Sequence, residues 1–324
     1  MFKEPTKQEI DQTHELIKPF IHKTRLVRSE ELNDLLGCEI WLKCENEQVA
    51  SAFKTRGALN AVLRLPGNEA SSGLVTHSSG NHAQSLAYVG KMKQIKTYVV
   101  MPETAPKLKV EKVKALGAEV TFCQNTPEAR QAAADKIIRE TGATFIHPFD
   151  NHQVICGQAT VAKEILEELP ETEIIIPPVG GGGLLSGSGI SAGFYSEKCL
   201  VFAAEPEGAA DAVKSFSTGK VEKADYVKTL ADGLQTHLSE RTLQLIRKTV
   251  EDVLLAKEAS IPKAMELVKT FFDMYIEPSA AVPLTMLMDN REIFSGKKVV
   301  LIITGGNIEP SEAEVLIKSD DPQN

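Results

Sequence analysis

Paired cysteines are the first thing missing from this chain. Cys38, Cys44, Cys123, Cys156 and Cys199 are odd in number, scattered and without a C-x-x-C spacing. That pattern argues against a disulfide framework or a zinc knot and fits a reducing cytoplasm. Clustered positive charge is also missing: the formal net charge is -8, and no run of Lys or Arg is interleaved with aromatics. Nucleic acid and anionic membrane are therefore poor partners, and an anionic substrate would need a local positive site. No stretch approaches the roughly 18 apolar residues of a membrane span, and Met1 to Lys7 has no apolar signal region. The expectation is a protein neither exported nor embedded. Internal repeats, low-complexity linkers and charge blocks are absent as well. What remains is an ordinary globular composition, 324 residues with 42% hydrophobic and 25% charged, enough for one large or two smaller domains with a real core.

Apolar runs alternate with amphipathic stretches along most of the length. The runs Glu39–Cys44, Leu74–His77, Thr97–Met101, Glu119–Cys123, Glu173–Val179, Leu200–Ala204, Asp252–Leu255 and Lys298–Thr304 read as strands. Pro127–Glu140, Gln158–Leu169 and Ile261–Tyr275 read as helices. Such alternation predicts an α/β fold of open, mostly parallel sheets covered by helices, with ligands at the carboxyl ends of strands. The turn-rich segment His147–Asn151 divides the strands into two sets. This predicts a small mobile domain, 73–146, inserted into a large one, 1–72 and 147–324. Ser319–Asn324 reads as a frayed end.

Lys54 stands behind Phe53 in the segment Ser51-Ala52-Phe53-Lys54, which opens a helical stretch, and Gly57, Ala58 and Leu59 follow. A lysine is usually a solvated surface residue. Here small and apolar neighbours would desolvate the amine, lower its pKa and make it a nucleophile able to form a Schiff base. Gly180-Gly181-Gly182-Gly183 follow an apolar strand and precede Leu184. A strand, a glycine loop and a helix N-terminus make a seat for a phosphate dianion. The run lacks the Lys-Ser/Thr of a Walker A loop and the last glycine of a dinucleotide fingerprint, so a mononucleotide-sized cofactor fits better. A plain tight turn is the competing explanation.

Ser78-Ser79-Gly80-Asn81-His82 leaves a strand and enters a helix read as Ala83–Gly90. It could grip a carboxylate and a cofactor oxygen, or be an ordinary helix cap, with His82 simply packed. Thr304-Gly305-Gly306-Asn307 ends a buried strand, where a neutral hydroxyl could face a pyridine nitrogen or merely finish the strand. Glu205 and Asp211, six apart with carbonyls between them, could supply oxygens to Mg²⁺, Mn²⁺ or Ca²⁺, or could be solvated.

Taken in order, S-x-F-K, S-S-G-N-H, G-G-G-G, A-E-P, E-P-S and T-G-G-N resemble the fold type II pyridoxal-phosphate (PLP) enzymes, with a tryptophan synthase β-like fold. Within them the chain is most similar to the serine racemase and serine/threonine dehydratase family. The resemblance implies that Lys54 carries PLP and acts as base on one face of the substrate Cα, and that Phe53 supports the cofactor. Asn81 would hold the ring 3-oxygen, Gly180 to Gly183 with Leu184 the phosphate, and Thr304 the ring nitrogen. Ser78, Ser79, Asn81 and His82 would receive the substrate, with Arg130 and Thr236 closing over its carboxylate. Glu205, the Ala209 carbonyl and Asp211 match the family's divalent-cation site.

Ser79 carries the finest distinction, because racemases have serine there, acting opposite Lys54, and typical threonine dehydratases have alanine. The implied activity is racemisation of serine together with β-elimination to keto acid and ammonia, by a cytoplasmic homodimer acting on a small amino acid. The alternatives are an L-threonine or 3-hydroxyaspartate dehydratase without racemisation, and, more remotely, a non-catalytic binder of an amino acid or PLP. Two features depart from the family. Val49 and Asp273 stand where mammalian-type racemases place ATP-binding lysines, which argues against ATP activation, and Thr24-Arg25-Leu26 replaces a common T-P-hydrophobic segment. The lack of a regulatory domain after Thr304 argues against the isoleucine-inhibited biosynthetic dehydratases.

Overall fold

The computed structural model describes residues 2–318. The tail Ser319–Asn324 lies outside the described residues, as does Met1. Ten strands form two sheets. They are β1 (Leu26–Val27), β2 (Glu39–Lys43), β3 (Leu74–His77), β4 (Thr97–Pro102), β5 (Glu119–Cys123), β6 (Thr144–Phe145), β7 (Ile174–Ile176), β8 (Leu200–Pro206), β9 (Asp252–Ala256) and β10 (Lys298–Ile302). The larger sheet has the order β1-β2-β10-β7-β8-β9 and the smaller β5-β4-β3-β6. Every pairing is parallel except that of β1 with β2 at one edge.

Burial on both faces explains the continuous apolar runs. In the larger sheet Ile174, Ile176, Val299 and Leu301 join one core, while Ile175, Val201, Val300 and Ile302 join another on the opposite side. The strand period of two sends alternate residues to opposite helical layers. In the smaller sheet Val99 and Met101 face one layer and Tyr98 and Val100 the other.

The eight strands expected from the sequence are present, with β3 and β5 at the expected bounds. Three are shorter than their apolar runs: β2 stops at Lys43, β7 covers only Ile174–Ile176, and β10 stops at Ile302, leaving Thr304 in the loop beyond. The two-residue strands β1 and β6 carry too little pattern to be read in advance. The helix expected from Gln158 starts at His152, where Asn151 caps it by accepting from Gln153 and Val154 N–H. The helix expected at Ala83 starts at Asn81 and runs to Lys93.

The helix Lys54–Leu63 packs on His152–Glu168 at unusually close range. A Cβ on Gly157 would lie 2.5 Å from the Arg56 carbonyl oxygen, and one on Gly57 would lie 2.3 Å from Gln158 Nε2. These contacts let the two backbones meet and bring Arg56 against Glu164.

Candidate active site

The glycine loop leaves β7, Ser78-His82 leaves β3 and Thr304-Asn307 leaves β10, so all three lie at carboxyl ends of parallel strands. Hydrogen bonds tie the Lys54 segment to the last of them. Phe53 N–H donates to Thr304 O at 3.1 Å and Gly306 N–H to Ser51 O at 3.0 Å, while Asn307 Nδ2 donates to Ala50 O at 3.0 Å. Ala50 and Ser51 both hold positive φ, 58° and 54°, a conformation that costs non-glycine residues energy and is kept only where surroundings enforce it. Here those bonds do so, and they fix where the next helix begins, at Lys54.

Lys54 is partly buried, and its Nζ donates to the Pro148 carbonyl at 2.9 Å. Burial alone pulls its pKa down to about 8, since no carboxylate pairs with it among the described residues. An appreciable share of the amine is therefore unprotonated near neutral pH. The Phe53 ring is buried, with its centroid 5.2 Å from Nζ. The glycine loop reaches the same place through Phe149, because a Cβ on Gly181 would lie 2.3 Å from that ring. Gly182 adopts φ 84° and caps the helix Gly183–Tyr195. Among the described residues the N–H groups of Gly180, Gly181, Gly182, Gly183 and Leu184 donate no hydrogen bond. Five free donors at a helix N-terminus are what a phosphate dianion requires.

Asn81 is not a helix cap. The cap residue is Gly80, with no side-chain bond, and the Asn81 amide donates to Glu277 Oε1 at 2.7 Å while its oxygen accepts from Asn307 Nδ2 at 2.8 Å. Glu277 is buried, and desolvation raises it to about 7. The E-P-S motif was legible, but its pairing with Asn81 was not, since 196 residues separate them. Ser78 Oγ accepts from Gly80 N–H at 3.3 Å. Ser79, half-buried, makes no side-chain hydrogen bond among the described residues. His82 Nε2 lies 3.1 Å from the Ile146 carbonyl oxygen, which makes it the donor and leaves Nδ1 buried without a partner. Burial, with the Lys54 charge adding to it, holds this ring at about 3. Thr304 is buried beside Phe53.

Two expected residues make no side-chain hydrogen bond to this group among the described residues. Arg130 bonds Asn125 of its own segment; its Nε is buried without an acceptor, and it pairs with no carboxylate among the described residues. Thr236 is exposed in a loop. The neighbouring residues Leu234 and Leu238 do reach the glycine loop, a Cβ on Gly180 or Gly182 lying 3.1 Å and 2.7 Å from them.

Near the end of β8, Glu205 accepts from the N–H groups of Asp211, Ala212 and Val213 at 3.0, 2.6 and 2.9 Å. Asp211 N–H also reaches Ala209 O at 3.0 Å, so the Glu205 and Ala209 oxygens meet at one amide. Burial raises Glu205 to about 8 and Asp211 to about 6, and Asp211 Oδ2 has no partner. Among the described residues no group of three or more His, Cys, Asp or Glu side chains forms a metal cluster; this loop has two carboxylates and a carbonyl.

A family model of pyridoxal-phosphate dependent enzymes matches residues 17–305. The chain belongs to that family: it is a PLP-dependent enzyme. It is 41% identical over 305 residues to the beta-hydroxyaspartate dehydratase of Paracoccus denitrificans, covering 94% of this chain and 97% of the relative. It is 42% identical over 319 residues to the serine racemase of Dictyostelium discoideum, covering 96% and 98%. The structure of maize serine racemase superposes with a TM-score of 0.92 at 34% identity, covering 95% of each chain. The fold type II architecture expected from the motifs is borne out. No helix among the described residues is long and apolar enough to cross a membrane.

Proposed function

We propose that this enzyme removes the α-proton of L-serine and related β-hydroxy amino acids, giving D-serine by racemisation or pyruvate and ammonia by β-elimination. The observation that carries this reading is the Lys54 amine, depressed to about 8 without a charged partner, beside the free N–H groups of the glycine loop. PLP, when bound, draws electrons from the substrate Cα and so acidifies its proton. Gly180 to Gly183 and Leu184 hold the phosphate through their N–H groups, the Asn81 amide holds the ring 3-oxygen, and the Thr304 hydroxyl meets the ring nitrogen. Phe53 backs the cofactor. Lys54 takes the α-proton on one face, and Ser79 Oγ exchanges it on the other. With two bases the proton returns from the opposite side; with a departing β-hydroxyl the products are keto acid and ammonia.

The substrate carboxylate is received by Ser78 and by the N–H groups of Ser79, Asn81 and His82, none of which donates elsewhere among the described residues. His82 contributes its backbone, because the Nδ1 lone pair would repel an anion. Arg130 and Thr236 close over the substrate when the small unit, 73–146, moves toward the large one, 1–72 and 147–324. A second reading, dehydration of 3-hydroxyaspartate, is favoured by the unpaired Arg130, which suits a second carboxylate, and by the likeness to a beta-hydroxyaspartate dehydratase.

Glu205, the Ala209 carbonyl and Asp211 hold a divalent cation, supported by the orphaned Asp211 oxygen and by two carboxyl groups that burial raises with no cation paired to either among the described residues. The enzyme works as a cytoplasmic homodimer. Incubation with L- and D-serine, L-threonine and 3-hydroxyaspartate, scoring keto acid and inverted amino acid together, tests the reading. Keto acid without D-serine leaves only the dehydratase. Borohydride should fix the cofactor on Lys54, and a colourless protein that takes up no PLP would favour a non-catalytic binder. EDTA should lower the melting temperature, by about 2 to 3 kcal/mol of stability if the cation stood at 100 times its dissociation constant; unchanged melting removes the cation.

A further inference from the structure

The turn His147-Pro148-Phe149-Asp150 was read from the sequence only as a boundary, yet it supplies the acceptor for Lys54. His147 Nδ1 accepts from the N–H groups of Phe149 at 3.3 Å and Asp150 at 2.8 Å. A side-chain acceptor closing on the second and third following amides mimics the turns usually made by Asn or Asp. It encloses Pro148 and aims that residue's carbonyl at Lys54 Nζ, 2.9 Å away. The same turn lays the Phe149 ring against Gly181. His147 is itself wedged edge-on between rings, with centroids 4.6 Å from Phe149, 5.8 Å from Phe145 and 5.9 Å from His77.

We infer that His147 is a positioning residue for Lys54, setting the Pro148 carbonyl as the resting acceptor for the free amine and closing the wall that keeps it desolvated. Only a ring with an unprotonated Nδ1 can do this, and burial holds His147 at about 3. The proton it carries is then on Nε2. Were the acceptor removed, two enclosed N–H groups would lose their partner, the turn would relax, and water would reach Lys54.

The inference rests on the reading of Lys54 as the cofactor lysine. The test uses the full chain stripped of cofactor, with trace acetylation of Lys54 followed across pH by mass spectrometry, for wild type, His147→Asn and His147→Leu. Asn offers an oxygen close to the place of Nδ1, whereas Leu offers none. Wild type and His147→Asn should give a midpoint near 8. His147→Leu should move it upward by at least one unit, roughly a fivefold loss of labelling at pH 8. An unchanged or lowered midpoint in His147→Leu, or a raised one in His147→Asn, overturns the inference. Should the Leu variant not fold, the Asn variant decides alone. Borohydride reduction of the holoenzymes separates the two ideas: an adduct away from Lys54 defeats the cofactor reading and leaves the labelling to judge the turn.

Discussion

Lys54 and Arg56 lie two residues apart on one helix, and their ionisation is pushed in opposite directions. Burial alone acts on Lys54 and lowers it. Burial also disfavours the Arg56 cation, but Glu45 and Glu164 override it and raise its pKa. Arg56 Nε and Nη2 grip Glu45 at 2.8 and 2.7 Å, and Nη1 and Nη2 reach Glu164 at 2.7 and 2.9 Å. Lys43 adds a bond to Glu164 at 2.7 Å. Glu164, which burial would raise, is instead held well below the usual carboxylate range by Arg56. One side of the helix's first turn thus keeps its charges by pairing them, and the other withholds partners from Lys54, which drifts toward neutrality as His82 and Glu277 do. Enclosure alone therefore does not define a reactive site; enclosure without a counter-charge does.

Substitution at the two positions should break this symmetry most visibly. Lys54→Met should abolish both product-forming activities, a loss of about 10³-fold or more, while leaving stability unchanged or improved. Arg56→Met should do the reverse to stability, leaving Glu45 buried without its cation and Glu164 with Lys43 in place of two partners, at a cost of roughly 3 to 5 kcal/mol. Urea unfolding of both variants checks this. If they proved equally stable, the pairing at Arg56 would carry no structural weight.

Ser79→Ala sharpens the comparison within the site. Racemisation and elimination from D-serine should fall by roughly 10²-fold, with much of the elimination from L-serine retained. Equal loss on both enantiomers would contradict a base on each face.

Much of this was legible in the chain. The parallel sheets followed from apolar runs between helical patterns, the Ser78-His82, Gly180-Gly183 and Thr304-Asn307 segments each stood beside a recognisable strand end, and Lys54 stood where a helical stretch opens. The unread parts depend on distance in sequence or on backbone shape. Glu277 meets Asn81 across 196 residues. Ala50 and Ser51 adopt left-handed angles that no local residue preference announces, being held by Asn307 and Gly306. The acceptor role of His147 needed the turn to be seen, since His-Pro-Phe-Asp states a break and not a bond. At His82 the ring turns to the Ile146 carbonyl, as a packed histidine does.

Glu277 offers the smallest effect and the most direct reading of unpaired enclosure. Its folded pKa, about 7, lies above the ordinary 4.5. Between those values the folded chain binds more protons than the unfolded one, so stability falls as pH rises through that window. Below pH 4.5 both states are protonated and no penalty exists; above pH 7 it is complete, roughly 3 kcal/mol. Glu277→Gln keeps an oxygen for the Asn81 amide and removes the titration. The variant should gain on wild type in melting temperature between pH 5 and pH 8, and parallel curves for the two proteins would show that Glu277 is ionised and that a cation faces it after all.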